Sequence, residues 1–536
     1  MAKHVATYHY DNARTGWNKH EKHLTPAKVS SPKFGFLFQQ SVDDMVYAQP
    51  LYVEGVHIKK AKHNVVFVGT EAGTIYAFDA DKPNGGKPLW TRSLINTSAG
   101  ETGPGVTLGA ITATPVIDVA RRRMYIIGYL KDKFNNLFFR LHAIALKDGK
   151  DVVKPAVLDQ NTIPQVIGTG EPPSLNTTGK IYFDPAMHFN RAALLLAYGN
   201  VYVGFGSHGD TPLYHGWVMG FHARNLKLIG PPYCSTPDAS QSGGGLDDPE
   251  IGGSFWQSGW GLAADDDGHI YGMTGNGLFI NPAKPHPPRN YADSLIKLNS
   301  KLKLVGSFTP ANYAFLASND TDFGSGGPLV IPNHAHKGKN EVVCCGKDPT
   351  VYLVDRKAMT PAKLHKTGNQ LDQLGLVTSP LATPINPGGS GPGVWGGPAY
   401  YGGPFGNIVY YCGDKGPLQA ITVKKGKLVP HMVAPGVPNQ TSMTDPKEAF
   451  PNEGGVIPVV TSHGSKRHTG VVWVVTRPDS TGLHLRAYDA EDLTKPHLFD
   501  AVIGTWSGSG AFLAPVVVNS KVYVGSDHTL TVYGIK

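Results

Sequence analysis

The chain has 536 residues, 40% hydrophobic and 17% charged, with a formal net charge of +8 and a pI of about 9.0. That length supports a large core. Its 65 glycines and 42 prolines are scattered between short β-branched and aromatic runs, which favours one large all-β body over two domains. Four cysteines exclude a disulfide scaffold, and the lack of any run of about 18 apolar residues excludes a spanning helix.

The basic charge is dispersed. No Lys/Arg run exceeds Arg121-Arg122-Arg123, which reads as a turn between strands, so a basic enzyme without a nucleic-acid partner is expected. The opening MAKHVATYHYDN has no apolar signal core. Sequons at Asn96, Asn176, Asn319 and Asn439 favour secretion slightly. The expected location is secreted or periplasmic, with a signal removed before Met1, and a cytoplasmic one stays open. Cys234, Cys344, Cys345 and Cys412 are expected as buried thiols in strands, because neighbouring strand residues point to opposite faces.

In chain order, the first predicted strand is Phe34–Val42, FGFLFQQSV, which has no repeat unit of its own. A unit then recurs: small residue, Pro, apolar run; strand ending in Gly; turn; strand ending near Asp. It spans Ala48–Trp90, Ala113–Lys150, Arg191–Asn225, Trp260–Asn299, Gly326–Lys357, Gly396–Val423, Gly454–Leu493 and Leu513–Gly534. Eight such units predict a single eight-bladed β-propeller over residues 1–536, with seven blades as the alternative. The last unit has three evident strands, so Phe34–Val42 is expected to complete it and close the ring. The insertions Leu158–Pro185 and Ile229–Gly252 read as loops over one face.

Gly252–Gly277 carries Trp256 and Trp260 in a glycine-rich approach, the turn Asp265–Gly268, a strand His269–Met273, and Thr274-Gly275-Asn276-Gly277. The Asp265–Gly268 run lacks the spacing of an EF-hand loop and is expected to be an exposed hairpin turn. Trp395 and His463 begin or enter other units where inner strands approach the axis.

The stretches GTEAGTIYAFDAD, RLHAIALKDGK and LRAYDAEDL, with the opening YHYDNARTGW and the closing KVYVGSDHTLTVYG, resemble the quinoprotein alcohol dehydrogenase-like propellers over essentially the whole chain. The resemblance implies pyrroloquinoline quinone (PQQ) and calcium on the axis. It implies a metal-binding carboxylate at Asp210, in GSHGDTPLYHGWVMGF, and a quinone floor at Trp260. It implies a metal-ligating amide at Asn276, a catalytic aspartate at Asp322 with Asp320 second, and a quinone-contacting base at Lys347 in GKDPTVYLVDR. Such oxygens suit calcium, which would also draw on Asp322. Two departures stand out. GETGPGVTLGAITATPVID lacks the adjacent-cysteine cap of those enzymes, and no CxxCH haem motif follows, so an electron acceptor would be external.

The functional expectation is an oxidoreductase acting on an alcohol or saccharide. Two alternatives stay open. One is a polysaccharide lyase or hydrolase using His208, His215 and Tyr214 as acid and base. The other is a propeller that binds a partner and catalyses nothing.

Overall fold

The computed structural model describes residues 4–105, 109–170, 178–208, 214–239, 252–277, 279, 289–332, 340–361, 366–376, 393–430, 455–477, 482–508 and 512–536. Eight β-sheets form the blades of one propeller, as the repeats predict. The innermost strands of the successive units are Leu51–Ile58, Val116–Asp118, Leu195–Ala197, Ala263–Ala264, Leu329–Val330, Ala399–Gly403, Val459–Thr461 and Val516–Val518. Phe34–Ser41 lies antiparallel to Thr529–Ile535, from Phe34 opposite Ile535 to Ser41 opposite Thr529, and supplies the outer strand of the last blade. The ring is thus closed by the N-terminal strand, and it has eight blades, not seven.

Inner strands are buried on both faces, because each blade packs between two neighbours. Val116–Asp118, Val459–Thr461 and Val516–Val518 are buried at every position. The outermost strands Trp90–Ser93 and Asp372–Gly375 instead alternate between half-buried and exposed residues. Several outer strands fall outside the predicted units: Ala156–Leu158, Tyr233–Cys234, Leu304–Phe308, Asp372–Gly375, Lys427–Pro430 and Phe499–Thr505. Apart from Leu304–Phe308, whose last three residues are buried, they bury one face at most, so they carry little apolar signature to read. Tyr233–Cys234 lies inside the insertion expected to be loop. The other insertion holds a two-stranded sheet, Val166–Ile167 with Lys180–Ile181. The Asp265 turn forms, but Asp265 faces inward, bonded to Tyr271 Oη at 2.8 Å and ion-paired with Arg356.

Neighbouring blades are bolted together at equivalent places. A tyrosine hydroxyl on one blade donates to the carbonyl just past the third strand of the next: Tyr125 to Ala223 (2.6 Å), Tyr202 to Ser300 (2.8 Å), Tyr410 to Ala490 (2.5 Å) and Tyr523 to Ala80 (3.3 Å). The last of these joins the eighth blade to the first. Between the fourth and fifth blades Lys297 Nζ takes the place of the tyrosine, donating to Arg356 O at 2.7 Å. Each such bond adds roughly 1 kcal/mol and satisfies a carbonyl that burial would otherwise strand.

The segment from His4 to Asn18 forms a plug across the axis. It hydrogen-bonds to the inner strand of every blade. His4 and Val5 pair with Val53 and Tyr52, and the amide of Ile117 donates to Ala6 O. Asn12 Nδ2 donates to Leu196 O. The amides of Ala264, Val330, Tyr400 and Val460 donate to the carbonyls of Asn12, Ala13, Thr15 and Gly16. The amide of Val517 donates to Tyr10 Oη at 2.8 Å. At its centre Arg14, fully buried, donates to Leu262 O, Leu194 O, Tyr8 O and Thr7 Oγ1.

Candidate active site on the propeller axis

In each blade the inner and second strands run antiparallel. Residues just before an inner strand and just after a second strand therefore lie at the same end of the ring. Asn276 follows His269–Met273, Asp322 precedes Leu329–Val330, and Lys347 follows Glu341–Cys344. These residues converge. The Asn276 amide N–H donates to Asp322 Oδ1 at 2.8 Å, and its Nδ2 donates to Asp320 Oδ1 at 2.8 Å. Lys347 Nζ lies 2.7 Å from Asp322 Oδ2 and 3.0 Å from Asp320 Oδ1. Gly275 is required here by close approach: a side chain would run into Asp322 and come within 3.1 Å of Trp256 Nε1.

The electrostatics follow from burial and charge. Burial alone would raise the Asp322 pKa, but the Lys347 ammonium and the Asn276 N–H outweigh it and hold the carboxylate below the usual aspartate range. Burial alone would lower that of Lys347, but Asp322 and Asp320 together hold it above the usual lysine range. Asp293 is fixed by the Phe323 N–H on Oδ1 (2.9 Å). Burial, and then the charge of Asp322, push its pKa well above the usual range.

An aromatic wall borders this cluster. Lys347 Nζ lies 5.8 Å from the ring centre of Trp256 and 5.3 Å from that of Trp395, and the two indoles meet edge to face at 5.4 Å. Trp395 stacks on Phe512 at 5.4 Å. The Arg191 guanidinium sits 4.7 Å from the Phe512 ring and 5.8 Å from Tyr47. The band Lys347–Trp395–Phe512–Arg191–Tyr47 thus has a cation at one end and another next to its last ring. Glu71 is buried beside it and accepts from Thr112 Oγ1 (2.7 Å) and the Gly109 N–H. Burial pushes its pKa up to about 7.

The structure thus brings Asn276, Asp320, Asp322 and Lys347 together, while Asp210 lies outside the described residues. Trp260 is not the exposed floor. It is fully buried in the plug layer, 4.2 Å from His9 and 5.6 Å from Tyr8, with its Nε1 donating to Pro328 O. Trp256, one turn of chain earlier and only partly buried, presents its ring to Lys347. His215 is buried, with Nδ1 3.1 Å from Thr236 Oγ1. Burial, then the neighbouring His188, push its pKa down to about 3, which favours the neutral imidazole. His208 packs near Tyr129 and Phe189, and Tyr214 is buried near Gly252. Tyr214 Oη and the Asn276 carbonyl both border the space that a side chain at Gly252 would fill. The four cysteines are free and buried, so Cys344 and Cys345 form no cap.

Sequence reasoning missed Arg191, Tyr47, Phe512, Glu71 and Asp293. A signal for three of the five was present. Tyr47 and Phe512 stand immediately before a repeat unit, as Trp395 does, and Arg191 opens one. That position recurs at the same end of every blade.

Whether these residues suit a hard cation and a flat anionic cofactor is tested by the atoms left unpartnered. Among the described residues, Asn276 Oδ1 and Trp395 Nε1 are both buried without a hydrogen-bond partner. A lone amide oxygen among carboxylates is a hard donor, and a tryptophan face flanked by cations suits a planar anion. The residues fit.

No protein-family model matches the chain, and no curated protein matches it. Solved structures do. The quinohemoprotein alcohol dehydrogenase of Comamonas testosteroni superposes with a TM-score of 0.61 at 15% identity, covering 99% of this chain and 80% of that one. Quinohemoprotein alcohol dehydrogenase ADHIIG of Pseudomonas putida HK5 gives 0.61 at 13%, with 99% and 80% covered. A europium-containing methanol dehydrogenase gives 0.62 at 12%, with 99% and 98% covered. At such identities the likeness is one of fold, and this chain has the eight-bladed propeller fold of those dehydrogenases.

Proposed function

We propose that the protein is a quinoprotein-like oxidoreductase that oxidises an alcohol or sugar, with PQQ and calcium on the propeller axis and an external electron acceptor. The observation that carries this reading is the Asn276 amide oxygen, buried and unpartnered among the described residues while the rest of the residue is pinned by Asp320 and Asp322. A rigid hard-oxygen donor of this kind is what a hard cation completes. The quinohemoprotein and europium-containing neighbours in fold support the same reading.

Asn276 and Asp322, with Asp210 beyond the described residues, would hold the cation. Trp256 would face the cofactor, and Lys347 would meet its edge. When bound, the quinone supplies a two-electron acceptor and the cation polarises it. The chain's own residues do the rest. Asp322, kept ionised by Lys347, is the base for the substrate hydroxyl proton. The plug confines substrate to the opposite mouth.

The test is reconstitution of the purified protein with PQQ and calcium. The expected result is a bound-quinone absorbance band, with reduction of an acceptor dye by an alcohol or sugar. Asn276→Ala should abolish both. Failure of the wild-type protein to bind PQQ would overturn the reading.

A further inference from the structure

A cavity of about 910 Å³ opens between the first and second blades, beside His4 of the plug. One wall is the hairpin joining Leu51–Ile58 to Ala61–Gly69. The other is the turn at Arg122, between Val116–Asp118 and Arg123–Lys131. This is the arginine triplet that the axial site leaves unused. The volume falls within the range of small-molecule sites, roughly 300–1,000 Å³.

The charges in this cleft are unbalanced in a specific way. Its aspartates are already satisfied. Asp79 Oδ2 pairs with His63 Nδ1 at 2.7 Å, and its Oδ1 accepts the N–H groups of Asp81 and Lys82. Asp81 accepts from Asn64 Nδ2 and pairs with Lys521 Nζ, both at 2.7 Å. Glu54 lies beside His4. By contrast, Lys62, Lys82 and Arg122 form no ion pair among the described residues. The Lys62 stem crosses Gly55, whose φ of +74° and missing side chain make room for it; a side chain there would stand 2.6 Å from Lys62 Cε. Three cations without an ion pair among the described residues therefore line a cavity in which Asp81 is ion-paired with Lys521, Asp79 is hydrogen-bonded, and Glu54 adds a further carboxylate.

No Phe, Tyr or Trp lines the cleft. Any stacking on a ligand ring would fall to the imidazoles of His4, His57 and His63 or to the Arg122 guanidinium. From these cations we infer that the cleft is a binding site for a compact, multiply charged oxyanion, phosphate- or sulfate-bearing. Lys62, Lys82 and Arg122 are its anchors, with His57 at the edge. This site is separate from the axial one and does not depend on the function proposed for it.

The experiment is calorimetric titration of the intact protein with inorganic tripolyphosphate and with a sulfated disaccharide, at low and high salt. At least one is expected to bind, and the stronger of the two identifies the source of the oxyanion. Lys62→Glu and Arg122→Glu, both surface changes checked for an unaltered thermal midpoint, should each weaken binding about tenfold or more. Added salt should weaken it as well. No binding of either probe, or binding unchanged in both variants, would overturn the inference. So would tighter binding of a single-stranded oligonucleotide than of either probe.

Discussion

Lys347 Nζ and Asp322 Oδ2 stand 2.7 Å apart, with their side chains only 6% and 11% exposed. A pair so enclosed is costly to break, because removing one partner leaves the other buried and uncompensated.

Lys347→Met should accordingly cost about 3–5 kcal/mol of stability, read from the denaturant midpoint, and Lys347→Met with Asp322→Asn should cost less than the single change. The pH dependence has two sides. Asp322 is depressed, so its contribution is present above the usual aspartate range and is lost as pH falls through its folded pKa. Lys347 is raised, so its contribution is present below the usual lysine range and is lost only as pH rises through its folded value. Between these limits the pair's contribution should be flat.

Glu71 should behave in the opposite sense. Its folded pKa is raised to about 7 by burial, so the folded state holds the proton more tightly than the unfolded one. Stability should then fall by about 1.4 kcal/mol per pH unit from this group, from the usual glutamate range up to about 7, and level off above. Glu71→Gln should match the wild type in mild acid and exceed it above neutrality. Thermal midpoints of the two proteins across pH decide this; parallel curves would refute it.

The two tryptophans of the glycine-rich approach should separate cleanly. Trp260→Ala empties the plug layer and should cost about 3–5 kcal/mol. Trp256→Ala, at a partly exposed ring, should cost at most about 2 kcal/mol. On the proposed function it should weaken PQQ binding about tenfold or more. Unfolding curves and cofactor titration on both variants report the difference.

Arg14 gives the plug its centre. Arg14→Met should leave the Leu262, Leu194 and Tyr8 carbonyls without their donor and lower stability by about 3 kcal/mol or more. Protease sensitivity of the His4–Asn18 segment should rise in step. Unchanged protection would mean that the backbone bonds to the blades hold the plug without it.

The repeat units show why the blades were legible and the plug was not. A strand between two blades is buried on both faces and must be apolar throughout, as Val459–Thr461 is. That demand is written locally, so eight recurrences and an orphan strand at Phe34 predict the ring and its closure. Asn276, Asp322 and Lys347 were reached instead through the resemblance to the quinoprotein propellers, and the fold places each beside a unit's strand. Outer strands such as Asp372–Gly375 and Lys427–Pro430 escape that demand because much of their surface faces water.

What the sequence determined by itself is therefore the number of blades, the seam that closes them, and the positions that reach the axis at one end. Only the tertiary structure decided that Trp256 and not Trp260 faces Lys347, that Arg191 joins the aromatic wall, and that His4–Asn18 seals the axis. The reason is that these outcomes depend on which distant carbonyls and rings meet at the centre of the disc. Arg14 finds Leu262 across 248 positions of chain, and no local pattern of apolar residues encodes that meeting.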